Sequence, residues 1–165
     1  MDEFEEIPVS DDEGETAAVC SKTDCEVENR ANDEIVLVTG ATGHVGSHCV
    51  KTLLNCGYRV KATVRDLNSD LTQSFRECFS AQIEENRLEV VRLELTRYKD
   101  WLKAVSGCTF VLHVASPIVY KTQQDSEELV VRPACEGVSN LVKACAAETS
   151  VKRVIYTSCI GAVIG

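Results

Sequence analysis

A short apolar run followed at once by three evenly spaced glycines constrains this chain more than any other feature. Every residue of 35–38 is apolar, which is typical of a parallel strand buried on both faces. The run leads through Thr39 into Gly40-Ala41-Thr42-Gly43-His44-Val45-Gly46, a G-x-x-G-x-x-G pattern, and a helical pattern begins there. A strand, a glycine-rich turn and a helix in this order predict a loop that binds the pyrophosphate of a dinucleotide at the helix N-terminus.

Each glycine of this loop has a separate expected role. Gly40 permits the tight turn, Gly43 lets the backbone approach the pyrophosphate, and Gly46 lets the helix pack against the strand. The loop supplies three further candidate cofactor-binding residues, which are Thr42, His44 and Val45. For His44 we expect the backbone to matter more than the imidazole. The alternative is a tight packing turn that binds nothing.

Strands and helices alternate through the rest of the chain. Periodicity predicts strands at 35–38, 58–64, 88–93, 110–115 and 154–158, and helices at 44–56, 70–84, 98–105 and 125–147. Such alternation is typical of βαβ units with right-handed crossovers. The predicted fold is therefore α/β, a Rossmann-like doubly wound parallel sheet.

Two of the helices carry more detailed expectations. The first predicted helix has an apolar stripe and a C′ glycine, and the residues concerned are Val45, Cys49, Leu53, Cys56 and Gly57. The long predicted helix contains Pro133, which we expect to kink or stagger it. Its predicted buried side consists of Leu129, Val130, Val138, Leu141, Val142 and Cys145.

Charge divides the chain into two parts. Residues 1–34 carry 13 acidic and 2 basic side chains, a net charge of −11, whereas residues 35–165 carry 13 acidic and 15 basic, a net charge of +2. We expect 1–33 to be a disordered acidic tail and 34–165 a folded dinucleotide-binding domain. A near-neutral domain without a basic patch argues against nucleic acid as a partner. An acidic N-terminus, and no apolar run near the roughly 18 residues of a membrane helix, favour a cytoplasmic location away from membranes.

The cysteines are numerous but show no metal or disulfide pattern. There are nine, an odd number, and no C-x-x-C pair occurs among them. We expect free thiols that pack as small apolar side chains. His44, His48 and Cys49 stand close together, but no second ligand cluster accompanies them, so no metal site is predicted.

The end of the second predicted strand bears on the choice of dinucleotide. Sites for NAD usually place an acidic residue about 20 residues after the glycines, and sites for NADP need a cation there. Arg65 stands nineteen residues after Gly46, and a guanidinium binds phosphate bidentately. This favours NADP. The neighbouring Asp66 leaves NAD as the alternative.

Four motifs in order make residues 34–165 resemble a known family. They are Val38–Gly46, Ala62–Asp66, His113–Pro117 and Val151–Ser158. The sequence resembles the extended short-chain dehydrogenase/reductase family (NAD-dependent epimerase/dehydratase-like), and within it the dihydroflavonol reductase, cinnamoyl-CoA reductase and 3β-hydroxysteroid dehydrogenase group. The resemblance implies an NADP-dependent oxidoreductase that reduces a ketone or aldehyde, a small carbonyl substrate of the full-length protein.

The resemblance also implies roles for individual positions. Arg65 matches the residue that binds the 2′-phosphate of NADP. Glu94 and Leu95 match an Asp-Leu pair that contacts adenine. The segment Ala115-Ser116-Pro117 matches the border of the nicotinamide ribose. The family's substrate-binding serine aligns with Cys159, whose thiol is a weaker donor. Ser158 is a poor substitute because a one-residue shift turns its side chain to the other face.

A second departure concerns the catalytic pair Tyr-x-x-x-Lys of the family. None of Tyr58, Tyr98, Tyr120 and Tyr156 has a lysine four residues later. We therefore expect a Rossmann domain truncated after its fifth strand, without the substrate lobe and inactive by itself. The alternative function is a non-catalytic NADP-binding or regulatory module. Nucleophilic catalysis through Cys159 or Ser158 is disfavoured, because no G-x-S-x-G elbow surrounds the serine.

Overall fold

A five-stranded parallel sheet forms the centre of the protein. The structure, a computed structural model, describes residues 34–117 and 127–160, so the predicted tail 1–33 lies outside the described residues. The strands are β1 (Ile35–Thr39), β2 (Arg59–Val64), β3 (Leu88–Arg92), β4 (Phe110–His113) and β5 (Arg153–Tyr156). Their order across the sheet is β3-β2-β1-β4-β5, and every pairing is parallel.

Helices cover both faces of this sheet. They are α1 (His44–Asn55), α2 (Asp70–Cys78), α3 (Ser80–Glu84), α4 (Tyr98–Val105) and α5 (Arg132–Ala147), and a π-helical turn at Glu127–Val131 precedes α5. Side chains alternate along β1, so Val36 and Val38 pack with α1 and α2 on one face. Leu37 packs with Trp101 of α4 and Leu141 of α5 on the other face. Two cores on opposite faces confirm the predicted doubly wound sheet.

The predicted stripe of α1 is wrong by one position. The buried residues are Gly46, Val50 and Leu54, and Val45 is 53% exposed. Gly46 sets this rotation: a Cβ at Gly46 would lie 2.1 Å from the carbonyl oxygen of Gly40, so only a glycine fits against the turn. Residues four and eight positions later then face the sheet. Cys49 and Leu53, also predicted to be buried, are half-buried at the margin of this core.

The C-terminus of α1 is confirmed as predicted. Gly57 has φ of 87°, in the left-handed region that favours glycine. Its amide donates to the Leu54 carbonyl at 3.1 Å, and the amide of Tyr58 donates to the Leu53 carbonyl at 3.0 Å. These two bonds form a Schellman motif, which turns the chain directly into β2.

Two predicted helices have different boundaries in the structure. The segment 70–84 breaks at Phe79, whose backbone (φ −118°, ψ 23°) ends α2 and begins α3, and both Phe79 and Ile83 pack against the α1 core. In the long helix, Pro133 lies in the first turn of α5, where its missing N–H costs no hydrogen bond, and the helix changes from π-helical to α-helical geometry directly before this proline.

The buried side of the long helix is also narrower than predicted. Gly137, Leu141 and Ala144 are its buried residues, whereas Leu129 and Val142 are exposed. Gly137 lies against Leu95, and a Cβ there would come within 3.2 Å of the Leu95 Cβ. This close approach fixes which side of α5 faces the sheet.

The β5 strand forms one edge of the sheet and is poorly covered. Val154, Ile155 and Tyr156 are 38%, 52% and 54% exposed. Within the described residues, β5 pairs only with β4, so its outer backbone groups have no neighbouring strand. None of the helices in residues 34–117 and 127–160 has the length and apolarity needed to cross a membrane.

Candidate functional site

The carboxyl ends of the five strands bring the predicted site residues to one edge of the sheet. Because all pairings are parallel, the segments that follow β1 to β5 emerge on the same side. These segments contain Gly40, Arg65, Glu94, Ala115 and Cys159. The chain turns to opposite sides of β1, towards β2 and later towards β4, so the crevice between β1 and β4 is a topological switch point, where open α/β sheets bind ligands.

The turn after β1 is closely packed against the segment after β4. Gly40 has φ of 68°, and a Cβ there would lie 3.0 Å from the Ala115 Cα. The predicted tight turn at Gly40 is therefore present, and its reason is this contact as well as the positive φ. Ser116 is exposed, and Ala115 and Pro117 are half-buried beside the turn.

The N-terminus of α1 is open to solvent at this crevice. Gly43 is the N-cap residue, no side chain caps the helix, and its first turn holds no acidic residue. The Gly43 amide donates to the Gly40 carbonyl at 3.0 Å. Within residues 34–117 and 127–160, the amides of His44 and Val45 have no hydrogen-bond acceptor. Both residues are exposed, and Thr42 is half-buried. This end of the helix can take an anion.

A buried hydroxyl joins the two segments that form the crevice. Thr39 Oγ1 accepts hydrogen bonds from the amides of Val114 and Ala115, each at 3.0 Å. Its lone pairs are then occupied, so its proton goes to His113 Nδ1, 2.9 Å away. These bonds end β4 at His113, two residues before the predicted end, because the next two amides turn to the Thr39 side chain.

His113 is held as a neutral imidazole. It is 3% exposed, and its ring lies 5.5 Å from those of Trp101 and Tyr156. Burial lowers the pKa of His113 to about 4. Since Nδ1 accepts the Thr39 proton, Nε2 carries the ring proton. His113 begins the motif His113–Pro117, but the sequence predicts no role for its imidazole, because the local signal is only a histidine at the end of an apolar strand.

Arg65 and Asp66, on which the choice between NADP and NAD depends, have different surroundings at the end of β2. Asp66 Oδ1 accepts from the amide of Asn68 at 2.9 Å, and the Asp66 carbonyl accepts from Thr72 Oγ1 at 2.7 Å. Asp66 is thus folded onto its own loop in an Asx turn. Arg65 is exposed, and its carbonyl accepts a hydrogen bond from Nε of Arg92 at 3.2 Å.

Glu94 lies at the edge of the sheet, whereas the neighbouring Leu95 lies in the core. Glu94 is half-buried, and its amide donates to Asp100 Oδ2 at 3.3 Å. Leu95 is 9% exposed and belongs to the core on the α4 and α5 face. Its carbonyl accepts from Trp101 Nε1 at 2.8 Å and from Asn140 Nδ2 at 3.0 Å. The Leu95 side chain therefore packs inside the protein, and the predicted adenine contact rests on Glu94.

The candidate catalytic residues follow β5. Ser158 and Cys159 are both exposed, and the amide of the preceding Thr157 donates to the His113 carbonyl at 3.0 Å. The strand itself is Arg153–Tyr156. It begins one residue earlier than the predicted strand 154–158, and its last residue lies two positions before the predicted end. The structure places Cys159 on the same edge as the glycine loop, and its substrate role stays a prediction.

The predicted packing role holds for some cysteines only, because Cys49, Cys108 and Cys145 are buried or half-buried whereas Cys78, Cys135 and Cys159 are exposed. Cys49, Cys78, Cys108, Cys135, Cys145 and Cys159 are free thiols. Cys108 is buried, its thiol donates to the Ala104 carbonyl at 3.3 Å, and burial raises its pKa to about 11. The rings of His44 and His48 meet edge to face, 5.0 Å apart. No group of three or more His, Cys, Asp or Glu suited to a metal occurs in the described part of the chain.

Known reductases are similar to this chain in sequence. Dihydroflavonol 4-reductase of Hordeum vulgare is 40% identical over 129 residues, which are 78% of this chain and 35% of that protein. Cinnamoyl-CoA reductase 1 of Petunia hybrida is 40% identical over 130 residues, 79% of this chain and 36% of that protein. The chain thus spans little more than a third of the length of these relatives.

Solved structures and a family profile agree with the sequence relatives. The crystal structure of vestitone reductase from alfalfa (Medicago sativa) superposes with a TM-score of 0.59 at 31% identity, covering 75% of this chain and 36% of that one. A yeast methylglyoxal/isovaleraldehyde reductase complexed with NADPH gives a TM-score of 0.64 at 26% identity, with the same coverage. Residues 36–165 match the profile of the NAD dependent epimerase/dehydratase family. With its doubly wound sheet and its glycine turn at the switch point, the chain belongs to the NAD dependent epimerase/dehydratase family.

Proposed function

We propose that residues 34–165 form the NADP(H)-binding part of a carbonyl reductase. The observation that carries the proposal is the uncapped N-terminus of α1 above the glycine turn at the switch point. The free amides of His44 and Val45 and the positive end of α1 suit a pyrophosphate. The contact between Gly40 and Ala115 leaves no room for a side chain in the turn, so the backbone itself forms the wall of the site.

The preference for NADP over NAD rests on Arg65. Its guanidinium is exposed beyond β2, where a 2′-phosphate of the adenosine ribose would lie in a dinucleotide bound across this crevice. Asp66, the residue that would favour a free 2′-hydroxyl, has its carboxylate on the Asn68 amide. The complex of the yeast relative with NADPH supports the same choice.

The reductase activity is proposed for a longer protein. The relatives named above are reductases of a dihydroflavonol, a cinnamoyl-CoA and an aldehyde, which supports a small ketone or aldehyde as substrate. A bound nicotinamide would supply the hydride. In this chain, the glycine loop binds the dinucleotide, and the Thr39–His113 network fixes the segment of Ala115 and Ser116 beside the nicotinamide ribose.

A second candidate function, a non-catalytic NADP-binding or regulatory module, is favoured by Cys159. A thiol stands where the family resemblance implies a serine that binds the substrate carbonyl, and the 165 residues contain no Tyr-x-x-x-Lys. Positioned acid–base groups contribute about 10²–10⁴-fold to such reactions. We therefore expect this chain to bind NADPH without oxidising it in the presence of carbonyl substrates. NADPH consumption above that of a Gly46→Val control would contradict this expectation.

The test of cofactor binding compares two arginines of the same strand. Arg65 follows the carboxyl end of β2, and Arg59 is the exposed first residue of β2, at the opposite edge of the sheet. NADPH and NADH are titrated by calorimetry into the wild-type chain, Arg65→Gln and Arg59→Gln. We expect wild type and Arg59→Gln to prefer NADPH by at least about tenfold, and Arg65→Gln to lose most of that preference. Equal affinities of wild type for both dinucleotides would refute the assignment.

A further inference from the structure

The end of β3 places a second guanidinium beside Arg65. In the parallel pairing of β2 and β3, Val64 is the partner of Arg92, so Arg65 is the next residue beyond this pair. Arg92 is exposed, and its Nε donates to the Arg65 carbonyl at 3.2 Å. This bond holds the Arg92 side chain across the end of β2, towards the segment that carries the Arg65 side chain.

The bond uses only one of the five N–H groups of Arg92. The terminal Nη1 and Nη2 carry four N–H donors, and within the described residues none of them has an acceptor. The fixed Nε bond limits the rotamers of the side chain. The remaining donors are therefore partly pre-ordered, which lowers the entropy lost when a ligand binds.

In the described part of the chain, neither Arg65 nor Arg92 forms an ion pair with a carboxylate. The ion pairs within residues 34–117 and 127–160 involve Arg87, Arg97, Arg132 and Lys152, but neither Arg65 nor Arg92. The acid next to Arg65 in sequence, Asp66, accepts a hydrogen bond from the Asn68 amide. Arg65 and Arg92 place two positive charges at the carboxyl ends of neighbouring strands, and a bound anion would offset them.

We infer that Arg92 is a second determinant of specificity for the 2′-phosphate, acting together with Arg65. This inference rests on the proposed function, since it assumes that the dinucleotide lies across the carboxyl ends of β1 to β3. The ligand chemistry is a phosphate monoester with a charge near −2, which offers three oxygens to two planar donors. A dinucleotide that has only a 2′-hydroxyl offers neither the charge nor the oxygens.

The experiment titrates NADPH and NADH by calorimetry into the wild-type chain and five variants. The variants are Arg92→Gln, Arg92→Lys, Arg65→Gln, Arg59→Gln and the double variant of Arg65→Gln with Arg92→Gln. We expect Arg92→Gln to weaken NADPH binding by about tenfold or more, and to leave the NADH affinity within about twofold. Arg92→Lys keeps the charge but not the Nε bond, so we expect a smaller loss.

The double variant separates direct contact from positioning. If Arg92 only holds the Arg65 carbonyl, Arg92→Gln changes nothing once Arg65 is glutamine, and this result would overturn the inference. A contact with the phosphate predicts a further loss of NADPH affinity in the double variant. Arg59→Gln is the matched control for loss of a surface charge, and circular dichroism checks that each variant is folded.

The failures of the inference and of the proposed function can be told apart. A wild-type chain that binds NADPH no better than NADH overturns the proposed function. A wild-type chain that prefers NADPH, with a preference unchanged in Arg92→Gln, overturns only the role of Arg92. If Arg92→Gln does not fold, Arg92→Lys still decides, because full NADPH affinity in that variant excludes the bidentate contact.

Discussion

Acidification should weaken the fold through His113, because this imidazole is buried in its neutral form. Its pKa is about 4 in the folded protein and 6.5 in an unfolded chain. Between these two values the unfolded chain binds more protons than the folded one. The free energy of unfolding therefore falls as the pH falls from about 6.5 towards 4. The stability that the neutral imidazole contributes is fully present above pH 7 and is lost progressively through this window.

The size of the effect follows from the two pKa values. Each unit of difference corresponds to about 1.4 kcal/mol, so the whole window is worth about 3 kcal/mol. At pH 5 the expected loss is about 2 kcal/mol. The structural cause is specific, since a proton on Nδ1 would face the Thr39 hydroxyl, which already accepts from the amides of Val114 and Ala115. Protonation thus loosens the segment beside the glycine turn.

The assay is urea denaturation of the wild-type chain, His113→Asn and His48→Asn at several pH values from 8 to 5. Asparagine keeps an acceptor close to the place of Nδ1 but does not titrate. His48 is exposed on α1 and serves as the matched control. We expect His113→Asn to lose about 2 kcal/mol less than wild type over this range, and His48→Asn to follow wild type. Parallel curves for wild type and His113→Asn would refute the reasoning.

Two further substitutions test the packing. Leu54→Ala, at a buried position of α1, should lower the free energy of unfolding by about 2–5 kcal/mol. Val45→Ala, on the exposed side of the same helix, should change it by less than about 0.5 kcal/mol. Comparable losses for the two variants in urea denaturation would contradict the observed rotation of the helix. Trp101→Phe removes the hydrogen bond from Nε1 to the Leu95 carbonyl, which still accepts from Asn140. We therefore expect the free energy of unfolding to fall by about 2 kcal/mol. A fall of less than about 0.5 kcal/mol would show that this hydrogen bond contributes little to stability.

The sequence predicts the order of the elements well, because each depends on a local pattern. The strand, turn and helix at Gly40–Gly46 are present, and so is the C′ glycine at Gly57. The predicted rotation of α1 was wrong because an apolar stripe takes no account of glycine. Gly46 is the residue that packs most closely against the turn, and it sets the rotation. The break between α2 and α3 at Phe79 could not be predicted, because no glycine or proline stands there.

The contacts between distant strands could not be predicted from local patterns. Thr39 and His113 are 74 residues apart, and their hydrogen bond depends on the register of β1 against β4. The bond from Arg92 to Arg65 depends in the same way on the register of β2 against β3. The Asx turn of Asp66 had a local signal, the segment Asp-Leu-Asn-Ser at 66–69. This signal would have predicted that the Asp66 carboxylate binds its own loop, and it would have left Arg65 as the candidate for the cofactor.

The β5 strand pairs only with β4 among the described residues, and from this edge we expect the behaviour of the chain in solution to depend on its concentration. Backbone N–H and C=O groups without a neighbouring strand can pair with any extended segment, including β5 of another copy. Pairing between copies is second order in protein, whereas folding of one chain is first order. Dilution therefore favours the separate folded chain, and concentration favours association through the apolar side chains of Val154, Ile155 and Tyr156. A melting temperature of this chain has a defined meaning only at a stated protein concentration.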